Sequence, residues 1–109
     1  MKSIVVVLTE PTEGKLDEFN DYYENTHLDE VLETTGWDTA KRFELVDEAG
    51  GKCPLKHLAF YEVETDDAAD IIPTLNRTRS GRQQSSSLNK KSASVWVVQE
   101  TGALHKRAE

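Results

Sequence analysis

The sequence predicts a single α+β domain, residues 1–109, whose elements follow one another in the order β-α-β-β-α-β. Two stretches of the chain space their apolar residues as helices do, and four others have the alternating or β-branched composition of strands. The helical stretches divide the strands into groups of one, two and one. At 109 residues the chain is long enough for one hydrophobic core and too short for two domains.

The composition excludes several classes of protein. A hydrophobic content of 37% in periodic segments indicates a folded chain rather than a disordered one. The net charge of −7 argues against a nucleic-acid partner, because such binding needs a basic surface. The single cysteine, Cys53, cannot form an intrachain disulfide and suits a reducing compartment. The apolar run 4–8 is too short for a signal peptide or a membrane span, so we expect a cytoplasmic protein with no membrane partner.

The first strand and the first helix lie between the start of the chain and Gly36. Residues 3–9, SIVVVLT, are almost continuously apolar and β-branched, which is typical of a central strand. Pro11 ends this strand. Asp17 and Glu18 give the following helix the acidic first turn that its dipole favours, and Gly36 is a suitable C-terminal stop.

A histidine lies within the apolar stripe of this helix. At about 100° per residue, Phe19, Tyr23, His27 and Val31 share one face, and Tyr22 lies at its flank. The spacing therefore turns His27 toward the rest of the protein. Histidine is the side chain whose unperturbed pKa, about 6.5, lets it exchange protons near neutrality.

The next two strands form a predicted hairpin. Residues 37–47 and 55–64 both alternate, and a loop containing Gly50 and Gly51 joins them, which indicates antiparallel pairing. His57 and Tyr61 share one face of the second strand. The spacing does not decide whether that face meets the helices.

The rest of the chain contains a second helix, a basic stretch and the last strand. Asp66 is a suitable N-cap for a helix through Leu75, although Pro73 should kink or shift it. Residues 76–92 carry five cations and no acid, so the remaining residues carry 8 − 20 = −12. We interpret this stretch as a flexible solvated loop in preference to a lid closing on an anionic ligand. A strand follows over 93–101, and the tail 102–109 should be loosely held.

The residues resemble a known family. The string EFNDYYENTHLDEV, the Gly36-Trp37 turn, the strand with Arg42-Phe43 and the later LAFYEVE are similar to the dimeric α+β barrel superfamily, and within it to the EthD-like branch. The resemblance implies a ferredoxin-like domain with an antiparallel four-stranded sheet. It also implies a homodimer whose two sheets pair into a barrel, with a ligand cavity between each sheet and its own helices. The position of His27 would face that cavity.

The candidate site residues follow from these observations. His27 is the candidate general acid or base, and the hydroxyl of Tyr23 is its catalytic partner. The alternative is a structural histidine with a hydrogen bond to a carbonyl or a tyrosine. The candidate substrate-binding residues are Phe19, Tyr22, Trp37, Arg42, His57, Tyr61 and Trp96, with Phe60 as a further lining residue. The spacing of His and Cys residues predicts no metal site, and no glycine-rich phosphate loop predicts a nucleotide cofactor.

Three hypotheses for function remain open on the sequence. The first is a small cofactor-independent enzyme, of the cyclase, decarboxylase or carbon–carbon lyase type, acting on an aromatic or polyketide-like compound. The second is a cofactor-independent monooxygenase. The third is a non-catalytic dimeric protein that binds a ligand and uses His27 only structurally.

Overall fold

The computed structural model describes residues 1–108 and has the predicted order of elements. The four strands are β1 (Lys2–Thr9), β2 (Thr39–Glu44), β3 (His57–Glu64) and β4 (Ser94–Gln99). They form one antiparallel sheet in the order β2-β3-β1-β4. The hairpin of β2 with β3 and the interior position of β1 are therefore confirmed. The arrangement is the predicted ferredoxin-like one.

The first helical region is interrupted. Its parts are α1 (Leu16–Tyr22), a π-helical turn (Tyr23–His27) and α2 (Leu28–Thr35). Gly36 closes α2 in the left-handed conformation, with φ of 78°, which glycine adopts without steric cost. Among residues 1–108, no helix is long and apolar enough to cross a membrane.

The second helical region differs from the prediction at its start. A short 3₁₀ turn (Ala68–Asp70) precedes α3 (Ile71–Arg77), and Asp67, not Asp66, lies at the N-cap of that turn. Pro73 falls in the first turn of α3. Backbone N–H groups there have no partner within the helix, so the proline removes little.

The register of the strands shows which sheet face meets the helices. Val5 lies opposite both Tyr61 and Val97, and all three belong to or pack against the hydrophobic core that the helices cover. Alternate residues point to the other face. There Val6 lies opposite Phe60 and Trp96, and Trp96 is 47% exposed.

Residues 79–92, here called the strap, correct the interpretation of this stretch as a solvated loop. The strap packs on the β1–α1 connection: Ser87 O accepts the N–H of Thr12 at 2.6 Å, and Glu10 O accepts the N–H of Asn89 at 3.1 Å. Ser87 and Arg82 are buried. Side chains add to this packing: Ser92 Oγ accepts the N–H of Glu10 at 3.2 Å, and Asn89 Nδ2 donates to Glu10 Oε1 at 3.1 Å.

Candidate functional site

A cavity of about 200 Å³ lies between the sheet, the helices and the strap. Its apolar wall consists of Val7, Val31, Leu75, Leu88 and Val95. Its polar groups include Thr9, Tyr22, Tyr23, His27, Tyr61 and Arg82. An apolar space with a few convergent polar groups is the usual form of a ligand site. The structure therefore brings four of the nine predicted site residues together, namely Tyr22, Tyr23, His27 and Tyr61.

The π-helical turn brings Tyr22 onto His27. In a regular α-helix, residues five apart point about 140° away from each other. A π-helical turn bonds residue i to residue i+5, and here the N–H of Leu28 donates to Tyr23 O. As a result the rings of Tyr22 and His27 stack, with centroids 5.0 Å apart. Regular helical spacing does not predict this contact, because it sets Tyr22 and His27 on different faces of the helix.

The hydrogen bonds of Tyr22 fix the tautomer of His27. The Tyr22 hydroxyl donates its single hydrogen to the carbonyl of Gln83, at 2.8 Å. Toward His27 Nδ1, 3.0 Å away, the same oxygen can only accept, so Nδ1 carries the hydrogen. In the neutral imidazole Nε2 then has a free lone pair. This nitrogen has no hydrogen-bond partner among residues 1–108 and is not fully buried.

The environment of His27 keeps the ring neutral at neutral pH. Burial, aided by the positive charge of Arg82, lowers the pKa of His27 from 6.5 to about 4. The imidazole is thus an acceptor of protons near pH 7 and not a donor. A general base must be unprotonated, as this ring is at pH 7, and the low pKa also makes it a weaker base than a free imidazole.

The lowered pKa predicts an acid-sensitive fold. Between pH 4 and 6.5 the unfolded chain binds a proton at His27 that the folded chain does not, so stability should fall as the pH is lowered through this window. The full loss is about 3 kcal/mol. We expect urea unfolding at pH 7 and pH 4.5 to show a larger loss for the wild type than for His27→Gln. Equal losses in the two proteins would contradict the lowered pKa.

Two further tyrosines present hydroxyls at the cavity. Thr9 Oγ1 lies 3.5 Å from the Tyr23 hydroxyl. Tyr61 is only 1% exposed, and its hydroxyl has no hydrogen-bond partner among the described residues. Over residues 1–108 the one fully buried side-chain polar atom without a partner is Ser3 Oγ, so the Tyr61 hydroxyl keeps a small accessible area, and Tyr61 lines the cavity. Burial raises the pKa of Tyr61 well above its usual value, which keeps this group a hydrogen-bond donor.

The other predicted site residues lie outside the cavity, and their assignment to its lining is corrected. Phe19 is completely buried in the core, against Tyr23 and His57. Trp37 packs on the core side of Tyr61, with ring centroids 5.5 Å apart. His57 shares one face of β3 with Tyr61, as predicted, and that face meets the helices, but His57 lies four residues from Tyr61, at the start of the strand.

Arg42 and two aromatic residues also differ from the prediction. The guanidinium of Arg42 lies 5.4 Å from the centroid of the Tyr23 ring and donates to Asn20 Oδ1 at 2.8 Å. It therefore packs beside the core and does not line the cavity. Trp96 and Phe60 project from the opposite face of the sheet, because they have the other strand parity.

Arg82 is a residue of the site that the sequence pattern does not predict. Its guanidinium donates to Thr34 Oγ1 at 2.9 Å, to Thr78 Oγ1 at 2.8 Å and to Leu75 O at 2.9 Å. In the sequence it stands within a polar, serine-rich stretch, where no periodicity marks a residue as buried. Among residues 1–108, no group of three or more His, Cys, Asp or Glu side chains could hold a metal ion.

Comparisons with known proteins support the fold. Neither a protein-family model nor a curated protein sequence matches the chain. Its structure is similar to the crystal structure of an ethyl tert-butyl ether D (EthD) family protein from Bacillus halodurans C-125, with a TM-score of 0.59 and 16% identity. The match covers 93% of this chain and 100% of that one. The chain therefore has an EthD-like α+β fold.

Proposed function

We propose that the protein is a small cofactor-independent enzyme that moves a proton at a carbon next to a carbonyl group. The observation that supports this most is the state of His27. His27 Nδ1 donates to the hydroxyl of Tyr22, which in turn donates to the carbonyl of Gln83 in the strap. His27 lines the cavity, and its Nε2 has no partner in residues 1–108. Holding one imidazole nitrogen so that the other serves as a base is a common arrangement in acid–base catalysis.

The proposed step uses only groups of this chain. His27 Nε2 takes a proton from the carbon, and the electron pair of the broken C–H bond forms the carbon–carbon double bond of an enolate. The negative charge moves to the carbonyl oxygen, where the hydroxyl of Tyr61 donates a hydrogen bond. His27 then returns the proton, to the same carbon or to another one. Isomerisation and cyclisation pass through such an enolate. In decarboxylation and carbon–carbon cleavage the enolate forms as the carbon–carbon bond breaks, and it then takes up a proton.

The size of the cavity favours a ligand with a single ring. An engineered protein cavity of about 150 Å³ binds benzene, and the cavity here measures about 200 Å³. Sites for larger molecules usually measure 300 Å³ or more. A monocyclic compound therefore fits better than a polyketide with several fused rings.

Exchange of hydrogen for deuterium tests this proposal without knowledge of the natural substrate. Phenylpyruvate and 4-oxo-4-phenylbutanoate each have one ring and exchangeable hydrogens next to a ketone. In D₂O at pH 7 the protein should speed the loss of these hydrogens, followed by NMR, in proportion to its concentration. Oxygen uptake without exchange would support the monooxygenase alternative, and binding without exchange would support the non-catalytic one. Either result would contradict the proposal.

A homodimer is part of the same proposal. Trp96, Val98 and Phe43 are between 45% and 52% exposed in the single chain, and all three lie on the sheet face away from the helices. Phe43 also packs on Phe60, with ring centroids 4.8 Å apart. An apolar sheet face of this kind is usually covered. We propose that a second copy covers it, as the resemblance to dimeric barrels implies.

The dimer has a direct test. At about 100 µM we expect the wild type to sediment at twice the mass of one chain, which is 12.3 kDa. Trp96→Lys places a charge in the apolar face and should give folded monomers. Val46→Lys is the matched control, because Val46 is 96% exposed in the loop between β2 and β3. A wild type that remains monomeric, or equal effects of both variants, would contradict the proposed interface.

A further inference from the structure

Arg82 is a buried arginine that forms no ion pair with a carboxylate of residues 1–108, although Glu30 attracts its charge from farther away. It is 8% exposed, and its three hydrogen-bond acceptors, Thr34 Oγ1, Thr78 Oγ1 and Leu75 O, are all neutral. Over residues 1–108, no carboxylate comes within 4.0 Å of the guanidinium. Buried charges in proteins are normally paired. The missing partner indicates a place for an anion.

The guanidinium has hydrogens available for that anion. Of its five N–H groups, two on Nη1 and one on Nη2 donate to the acceptors named above, which leaves the second hydrogen of Nη2 and the one on Nε. Arg82 lines the cavity. Nε has no hydrogen-bond partner among residues 1–108. In these residues only Ser3 Oγ is both fully buried and unpartnered, so Nε of Arg82 retains some accessible surface. Two N–H groups of one guanidinium match the two oxygens of a carboxylate.

The surroundings of Arg82 favour an anion over a neutral ligand. Arg79 and Lys90 also line the cavity, whose lining contains no Asp or Glu. Arg77 and Arg79 line a neighbouring depression beside Arg82. These cations lie together at the cavity and its mouth in a chain whose net charge is −7. Such a cluster of cations attracts anions and raises their rate of binding.

From these observations we infer that the ligand of the cavity is a monocyclic carboxylate, with its carboxylate on Arg82 and its ring against the apolar wall. Val7, Val31 and Val95 on that wall lie on the strands and helix below the strap. The inference rests on the cavity being the ligand site of the proposed function. It adds the chemical class of the ligand and gives the strap a role in specificity.

Binding of simple probes tests this inference without any turnover. Benzoate and benzamide have the same ring and shape and differ in charge. By calorimetry the wild type should bind benzoate about 10- to 100-fold more tightly than benzamide, the range that hydrogen bonds to charged groups give. Arg82→Gln should abolish this preference. Arg107→Gln is the matched control, because it removes the same charge from an exposed residue that lines neither the cavity nor the neighbouring depression, and it should keep the preference.

Three results would overturn the inference. They are equal binding of benzoate and benzamide by the wild type, equal loss of preference in the two arginine variants, and tighter binding of phenyl phosphate than of benzoate. If Arg82→Gln does not fold, the Nε–H resonance of Arg82 in the wild type decides: benzoate should shift it and benzamide should not. The test is separate from that of the proposed function, because His27→Ala can abolish proton exchange while benzoate still binds.

Discussion

Replacing His27 with alanine should slow the exchange of hydrogens next to the ketone of phenylpyruvate by about 10²–10⁴-fold, the usual contribution of a positioned general base. Nε2 of His27 is the acceptor in the proposed step, and no other imidazole lines the cavity in the part of the chain that the structure describes. The fold should persist, because His27 is only half-buried and its main partner, Tyr22, keeps its bond to Gln83.

His57→Ala is the matched control for this prediction. His57 is the same residue type on the same side of the sheet, but it does not line the cavity. It should therefore keep an exchange rate close to that of the wild type. An exchange rate that survives in a folded His27→Ala protein would remove His27 from the mechanism. The same loss in both variants would indicate that the effect is not specific to the cavity.

Phe19→Ala should lower the free energy of unfolding by about 3–5 kcal/mol, the range for removing a buried phenylalanine. The Phe19 side chain is 0% exposed, and its ring contacts those of Tyr23 and His57, with centroids 5.0 and 5.1 Å away. The guanidinium of Arg42 covers another side, 5.6 Å from the ring centroid. Truncation leaves these neighbours around an empty space.

The result for Phe19 also separates a core residue from a ligand contact. Urea unfolding should show the loss, whereas the folded variant should bind benzoate almost as the wild type does. Leu16→Ala on the same helix, at 47% exposure, is the control and should cost less than about 1 kcal/mol. A Phe19→Ala protein of normal stability with weakened benzoate binding would restore Phe19 to the ligand site.

The strands and the first helix could be predicted because their patterns are local. Alternation fixes that His57 and Tyr61 share a face, and the structure confirms this. Local pattern cannot decide which face meets the helices, since that depends on how the sheet packs. For the same reason Trp96 was wrongly predicted to line the cavity. Alternation places it on one face of β4, but nothing in the sequence shows that this face points away from the helices.

The site itself could be predicted only in part. A regular helix, at 100° per residue, correctly places Tyr23 and His27 on one face, but it separates Tyr22 from His27. One π-helical turn changes that angle, and nothing in the local composition requires such a turn. Arg82 was missed for a different reason. Its guanidinium is held by one long-range hydrogen bond, to Thr34 on α2, which no periodicity in residues 79–92 reveals.

The proposed mechanism depends above all on the protonation state of His27. Nitrogen-15 NMR of the imidazole at pH 7 distinguishes a nitrogen that carries hydrogen from one that does not. We expect a neutral ring with hydrogen on Nδ1, an unprotonated Nε2 and a pKa of about 4. Hydrogen on Nε2 at pH 7, in either the neutral or the charged ring, would contradict the proposed mechanism.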